Sequence, residues 1–172
     1  MTSLTAFVVL VALVGLERLA ELVVSKRNAA WSLAHGGVET GRGHYPVMVV
    51  LHTGFLVAML VEAVIRRPAV PQWLAWSMLA LVLAAQALRW WCIATLGQQW
   101  NTRVVVVPDA GRVSGGPYRL IPHPNYVAVV IEGVALPLVH SAWLTALVFT
   151  VLNALLLRTR ISVENTALEC LA

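Results

Sequence analysis

The feature that most constrains this chain is a succession of apolar runs, most of them near twenty residues, separated by short polar or proline-bearing segments. Wound as a helix, such a run matches the hydrocarbon core of a bilayer, which needs about 20 mostly apolar residues to cross. Inside that core every backbone polar group must be satisfied within its own segment, so helices are the expected form. The first run spans Leu4 to about Val24, the second about Tyr45 to Ile65, and the third about Gln72 to Cys92. A fourth, shorter body runs from Val127 to Leu138, starts at Pro124, and is broken by Glu132 and Pro137. The fifth covers about Ala142 to Leu157 and continues as a more polar helix through Arg158, Arg160 and Glu164. Composition agrees: of 172 residues, 59% are hydrophobic and 12% charged, where soluble domains carry about 25% charged residues. The expected fold is all-α: a polytopic integral membrane protein with about five transmembrane helices. One membrane domain is expected over residues 1–172, with three spans in 1–93 and the remainder in 94–168.

Polar residues within the runs must find partners. Glu17 and Glu21 share a helix face, and Arg18 is spaced to pair with Glu21. Glu62 and Arg66 form an i,i+4 pair at the end of the second run. Glu132 is expected to pair within the bundle, with Arg89 or Arg158. No basic segment precedes the first run and no small-x-small cleavage pattern follows it, so a retained span is expected rather than a signal peptide. The last residues, Cys170-Leu171-Ala172, are too short for a prenylation box. Cys92 and Cys170 make no disulfide framework.

The net charge of +4 points to anionic lipid rather than nucleic acid, because Lys and Arg gather on cytoplasmic loops of membrane proteins. With the N-terminus outside, the inner face receives Lys26, Arg27, Arg42, Arg103, Arg112, Arg119, Arg158 and Arg160, and the outer face Arg66 and Arg67. The bias predicts an N-terminus outside and a C-terminus inside, in the plasma (inner) membrane. It places the polar section and the C-terminal helix on the same cytoplasmic side.

Two polar segments are expected. The loop from Ser25 to His44 contains Gly36-Gly37 and Gly41-Arg42-Gly43. The stretch from Ala94 to His123 holds the β-branched Val104–Val107, read as one short strand, with turns at Asp109-Ala110-Gly111 and Ser114-Gly115-Gly116-Pro117. No phosphate-binding glycine loop, zinc-spaced His/Cys cluster or nucleophile triad is present in the sequence, and the five histidines are scattered. The segment Gly115 to Tyr126 reads as a glycine turn feeding a helix that starts at Pro124, with His123 near the cap. Such a start is either a plain helix end at the interface or a holder for an anion. Arg160 and Glu164 share a face of the last helix, as a surface pair or as part of a site.

Three elements in order, Gly116-Pro117-Tyr118, His123-Pro124-Asn125-Tyr126 and Arg160-Ile161-Ser162-Val163-Glu164, resemble the isoprenylcysteine carboxyl methyltransferase family over roughly residues 95 to 168. The resemblance implies S-adenosylmethionine in a cytoplasm-facing pocket, with a helical hairpin between the second and third elements. It places Ala110, Gly111, Arg112, Val113 and Tyr118 along the cofactor, together with His123, Pro124, Asn125 and Tyr126 at the start of the fourth helix. Glu164 would contact it from the last helix, and Arg160 would face the methyl acceptor. The chain departs from the family's pattern at Asn165, where a second acidic residue often follows the Glu. The implied activity is O-methyl transfer to a lipophilic acceptor reached from the bilayer. That acceptor is a prenylcysteine-type carboxylate, or a hydroxyl of a long-chain polyketide such as an alkylpyrone or alkylresorcinol. The competing class is a non-catalytic membrane protein, a small transporter or structural partner. Against a transporter, the sequence lacks an internal repeat.

The orientation is directly testable. In intact cells, a cysteine replacing Arg67 should react with a membrane-impermeant maleimide and one replacing Arg112 should not. The reverse labelling would invert the topology.

Overall fold

The computed structural model describes residues 3–108 and 110–171; Asp109 of the expected turn, the first two residues and Ala172 lie outside the described residues. Five helices carry the fold among those residues: α1 (Leu4–Ala34), α2 (His44–Arg66), α3 (Gln72–Leu96), α4 (Pro124–Leu138) and α5 (Trp143–Leu171). Two short strands, β1 (Val38–Thr40) and β2 (Val104–Val106), pair antiparallel, with Val38 opposite Val106 and Thr40 opposite Val104. The all-α membrane fold expected from the sequence is the one observed. By length and composition α2, α3 and α5 can each cross a membrane. Helix α1 has 31 residues but carries Glu17, Arg18 and Glu21 in its middle. Helix α4 has only 15, a rise of about 22 Å at 1.5 Å per residue, which falls short of a hydrocarbon core about 30 Å thick.

The outward faces of the helices are apolar. Leu13, Leu16 and Leu19 of α1, Val50 and Ile65 of α2, Leu83 of α3 and Leu147 and Leu155 of α5 are all exposed, as lipid contact requires. The interior apolar core joins Phe7, Val11 and Val14 of α1 to Phe55 and Met59 of α2, Leu136 of α4 and Phe149 of α5. Gly133 lets α4 approach α5 closely: a Cβ there would sit 2.5 Å from the Phe149 ring.

The charged residues in the middle of α1, α3 and α4 are paired. Arg18 Nη1 donates to Glu21 at 2.6 Å, and Arg18 Nη2 to Gln86 at 2.7 Å. Glu132 of α4 accepts from Arg89 at 2.6 Å and from Arg18 at 3.3 Å. Arg89 is thus the expected partner of Glu132. Arg158 is exposed on the other side of α5, and Arg18 takes the second place. The network ties α1, α3 and α4 together at mid-bundle.

Two expected boundaries move. Helix α1 does not stop near Val24 but continues to Ala34, because Ser25 to Ala34 contains no glycine or proline. Its polar residues also find partners: Ser25 Oγ accepts from the Thr102 amide at 2.9 Å, and Asn28 donates to the Trp100 carbonyl at 2.8 Å. The expected strand at Val104 is present and is held by Val38–Thr40, in a segment expected to be loop.

At the opposite end, Glu62 of α2 holds the start of α5. Its carboxylate accepts from the Leu144 amide at 3.1 Å and from the Thr145 amide and hydroxyl at 2.7 Å each. Arg66 pairs with it at 3.1 Å, the expected i,i+4 contact. Glu62 therefore caps a helix N-terminus across the bundle, satisfying orphan N–H groups. Replacing it with Leu should destabilise the detergent-solubilised protein by about 1–3 kcal/mol, the scale for unpaired buried donors. Glu62→Gln should recover part of the loss, because its amide oxygen still accepts. Melting curves of the three proteins check both outcomes.

Candidate active site

Helix α4 has 15 residues where its neighbour α5 has 29. Residues of the 97–108 and 110–123 segments, including β2, line the space between α4 and α5. This space is one cavity of about 330 Å³. The 3-10 turn Gly116–Arg119 sits against α3, and Gly116 has a φ of 53°; a Cβ there would lie 2.5 Å from Thr95 Oγ1. This close approach carries Tyr118 to the cavity wall. Burial first, then the neighbouring Cys92 thiol, pushes the Tyr118 phenol above its ordinary range, so it remains a neutral hydroxyl.

Helix α4 begins as expected, with Pro124 in its first turn and His123 at the cap. The Tyr126 and Val127 amides turn back onto the His123 carbonyl at 3.1 and 3.4 Å. Part of the anion-holding capacity expected of this helix start is thereby used internally. The buried Oδ1 of Asn125, by contrast, has no partner among the described residues.

The third element meets the second across the cavity mouth. Tyr126 donates its hydroxyl proton to Glu164. His123 Nε2 lies 3.0 Å from Asn165 Oδ1, and its Nδ1 lies 3.7 Å from a Glu164 oxygen. Both ring nitrogens thus face acceptors, an arrangement that favours the doubly protonated ring. Contact with Glu164 outweighs the opposing effect of burial and raises the His123 pKa above its ordinary 6.5, with Asn165 adding to the rise. Asn165 Oδ1 is an acceptor for this histidine.

Arg160 lies one turn deeper on α5 and is 5% exposed. Its Nη2 donates to the Thr102 carbonyl at 2.8 Å, and its Nη1 points at the Met48 sulfur at 2.9 Å. The guanidinium lies over the Tyr126 ring at 5.9 Å, and its Nε has no partner among the described residues. Part of this group is therefore spent on holding the 97–103 segment, and the rest faces the cavity.

Of the residues singled out from the sequence, Gly111, Arg112, Val113, Tyr118, His123, Asn125, Tyr126, Arg160 and Glu164 line this one cavity. Ala110 and Pro124 do not. Ala110 is exposed, with its carbonyl 3.4 Å from Gln99 Nε2, and Pro124 is buried in the helix start. The lining also includes Met48, His52, Thr102 and Asn153, which belong to no motif. Asn153 could have been found from its spacing, since it lies seven residues before Arg160 on the same helical face.

The rim of the cavity combines hydrogen-bond donors and acceptors. Glu164 fits an ammonium or a pair of ribose hydroxyls, and Tyr118 and Tyr126 offer ring faces and hydroxyls. The unpartnered Asn125 oxygen marks a buried polar position that a ligand would satisfy.

Comparison with known proteins agrees with the pattern read from the residues. The sequence pattern of the Isoprenylcysteine carboxyl methyltransferase (ICMT) family matches residues 78–170. The uncharacterized protein YpbQ of Bacillus subtilis is 34% identical over 164 residues, covering 95% of this chain and 96% of the relative. An uncharacterized protein of Haemophilus influenzae is 26% identical over 158 residues, covering 88% of each. No solved structure matches.

The raised His123 pKa has a pH signature. Its stabilising effect is complete below the unfolded value near 6.5 and is lost as pH rises through the higher folded value. The melting temperature of the protein should therefore exceed that of His123→Gln most in mildly acidic buffer. The gap should shrink as the pH rises into the alkaline range. A gap that grows with pH would contradict the assigned contacts.

Proposed function

This chain belongs to the isoprenylcysteine carboxyl methyltransferase family, and on that premise we propose that it is an S-adenosylmethionine-dependent O-methyltransferase acting on a lipophilic acceptor drawn from the bilayer. The observation that carries this reading is the convergence of Tyr118, His123, Asn125, Tyr126, Arg160 and Glu164 on one cavity within a membrane bundle. The last two of these residues are far from the first four in the chain, and a purely structural role for each would not need a shared void.

S-adenosylmethionine supplies, when bound, an electrophilic methyl group on a sulfonium. The residues suited to hold it are Tyr118, Asn125, Tyr126 and Glu164, with His123 facing Glu164 and Asn165 holding the His123 ring. The protein's own task is alignment of the acceptor oxygen with the methyl group, since proximity and orientation alone can supply several kcal/mol, roughly 7–11 at best. A carboxylate acceptor is ionised near neutral pH and needs no base. A phenol or enol acceptor would have its oxyanion favoured by the Arg160 charge. Arg160 offers a planar fork for such an oxygen, and the Thr102 carbonyl and Met48 sulfur hold that fork in place.

The apolar walls below Arg160, including Leu156, Leu157 and Val129, suit a lipid tail, and the exposed apolar helix faces suit entry between spans. The acceptor is either a prenylcysteine-type carboxylate or a hydroxyl on a long-chain polyketide. The orientation proposed with this function is N-terminus outside and C-terminus cytoplasmic, in the plasma (inner) membrane, which gives the cavity mouth access to the cytosolic cofactor.

The division of labour is measurable on purified protein, with labelled S-adenosylmethionine and a membrane lipid extract for turnover and S-adenosylhomocysteine for binding. Arg160→Ala should lose methyl transfer by about a hundredfold, the scale for removing one charge-stabilising group, and keep most affinity for S-adenosylhomocysteine. Glu164→Ala should lose that affinity. Arg160→Lys should recover only part of the turnover, because it lacks the planar fork. Parallel loss of turnover, affinity and melting temperature in Arg160→Ala would make Arg160 a structural anchor. No saturable binding of S-adenosylhomocysteine to folded, unmodified protein would remove the methyltransferase reading.

A further inference from the structure

The cavity extends well below Arg160. On α5 it is faced by Phe149, Asn153, Arg160 and Glu164, at separations of four, seven and four residues that keep a single helical face. Asn153 therefore lies about 10 Å deeper along the axis than Arg160. It is 3% exposed, and its Oδ1 has no partner among the described residues. Across from it, His52 of α2 is half-buried and lines the same cavity. His52 Nδ1 lies 2.9 Å from the Met48 carbonyl. A carbonyl can only accept, so the proton sits on Nδ1 and Nε2 is left as an acceptor.

Phe149 fixes the level of both groups. It lies one turn from Asn153, and it meets the His52 ring edge-on with centroids 5.3 Å apart. The α2 side gives an independent estimate of depth. Met48 touches the Arg160 guanidinium, and His52 is one turn further along, about 6 Å. An amide and an acceptor nitrogen thus occupy the acceptor part of the cavity, one to two helix turns below the group assigned to the reacting oxygen. Hydrocarbon at that depth would leave both without a partner, which is unfavourable inside a membrane protein.

We propose that Asn153 and His52 bind a second hydroxyl of the acceptor, about 6–10 Å from the oxygen that is methylated. A hydroxyl reaches both residues: it accepts from the Asn153 amide N–H and donates its one proton to His52 Nε2 or to the unpartnered Asn153 Oδ1. A ketone would leave His52 unpaired, and an unbroken alkyl or prenyl chain would leave both unpaired. The acceptor class is therefore a hydroxylated long-chain lipid rather than a carboxylate followed directly by hydrocarbon. This assignment rests on the methyl-transfer reading only in taking Arg160 as the mark of the reacting oxygen.

Two matched probes test it: 4-hexadecylphenol and 4-(1-hydroxyhexadecyl)phenol, whose para ring sets the two oxygens near the short end of that interval. Each is titrated into the full-length protein in nanodiscs, with and without S-adenosylhomocysteine. The hydroxylated probe should bind at least about tenfold more tightly, and Asn153→Leu and His52→Phe should each bring the two Kd values within about twofold. Equal affinities in the unmodified protein, no saturable binding of either probe, or a preference that survives both substitutions would overturn the proposal. If a variant fails to fold, the comparison in the unmodified protein still decides. Titration of S-adenosylhomocysteine alone reports separately on the methyltransferase reading, so either idea can fail without the other.

Discussion

A carboxylate surrounded by hydrocarbon is stable only with a cation or a proton beside it. Glu132 of α4 has the Arg89 guanidinium at 2.6 Å and that of Arg18 at 3.3 Å. These contacts fix the depth and rotation of α4 against α1 and α3, which apolar packing alone would leave free to slide. Once α4 is fixed, its face bearing Asn125, Tyr126, Val129 and Glu132 lines the cavity. The ion network is therefore both a clamp on the bundle and the inner wall of the site. A buried charge pair adds little to stability compared with well-packed apolar residues, so its value here is the specific position it imposes.

The second constraint is length. A helix that spans the bilayer fully would fill its own column of the bundle. Helix α4 stops short, and the remaining volume is closed by a segment too irregular to stand in lipid, residues 97–123. Such backbone is tolerated at membrane depth only where protein or a cavity covers it. That coverage is supplied by the β1–β2 ribbon, by the long tail of α5, and by the extension of α1 through Ala34, whose Ser25 and Asn28 hold the segment's backbone.

The sequence made the helices legible because membrane spans are set by local composition, and it made the helix start at Pro124 legible because capping chemistry is local too. Pairing between distant segments was read less well. The strand at Val104 carried its own β-branched signature, but its partner Val38-Glu39-Thr40, with two β-branched residues, is a run of only three among glycines and too short to read. Arg18 was assigned to Glu21 by spacing, and its second bond to Glu132 depends on how α1 meets α4. In the site, the residues recognised were those in motifs. Met48, Thr102, His52 and Asn153 were not, because what places them is the packing of α2 and the 97–103 segment against α5. Ala110 is not among the lining residues, since a turn near a cavity need not face it.

Helix α5 is unbroken from Trp143 to Leu171, and one end is pinned by Glu62. Everything it presents to the cavity is therefore spaced by helical pitch, as marks on a gauge. The gauge is discrete. One residue added between Asn153 and Arg160 would swing the groups beyond it by about 100° and take them off the cavity. Four residues would restore the face and lengthen the gauge by about one turn, 5.4 Å. Relatives that accept substrates of different dimensions could diverge along this helix in such whole-turn steps, while the chemistry at its end stays the same.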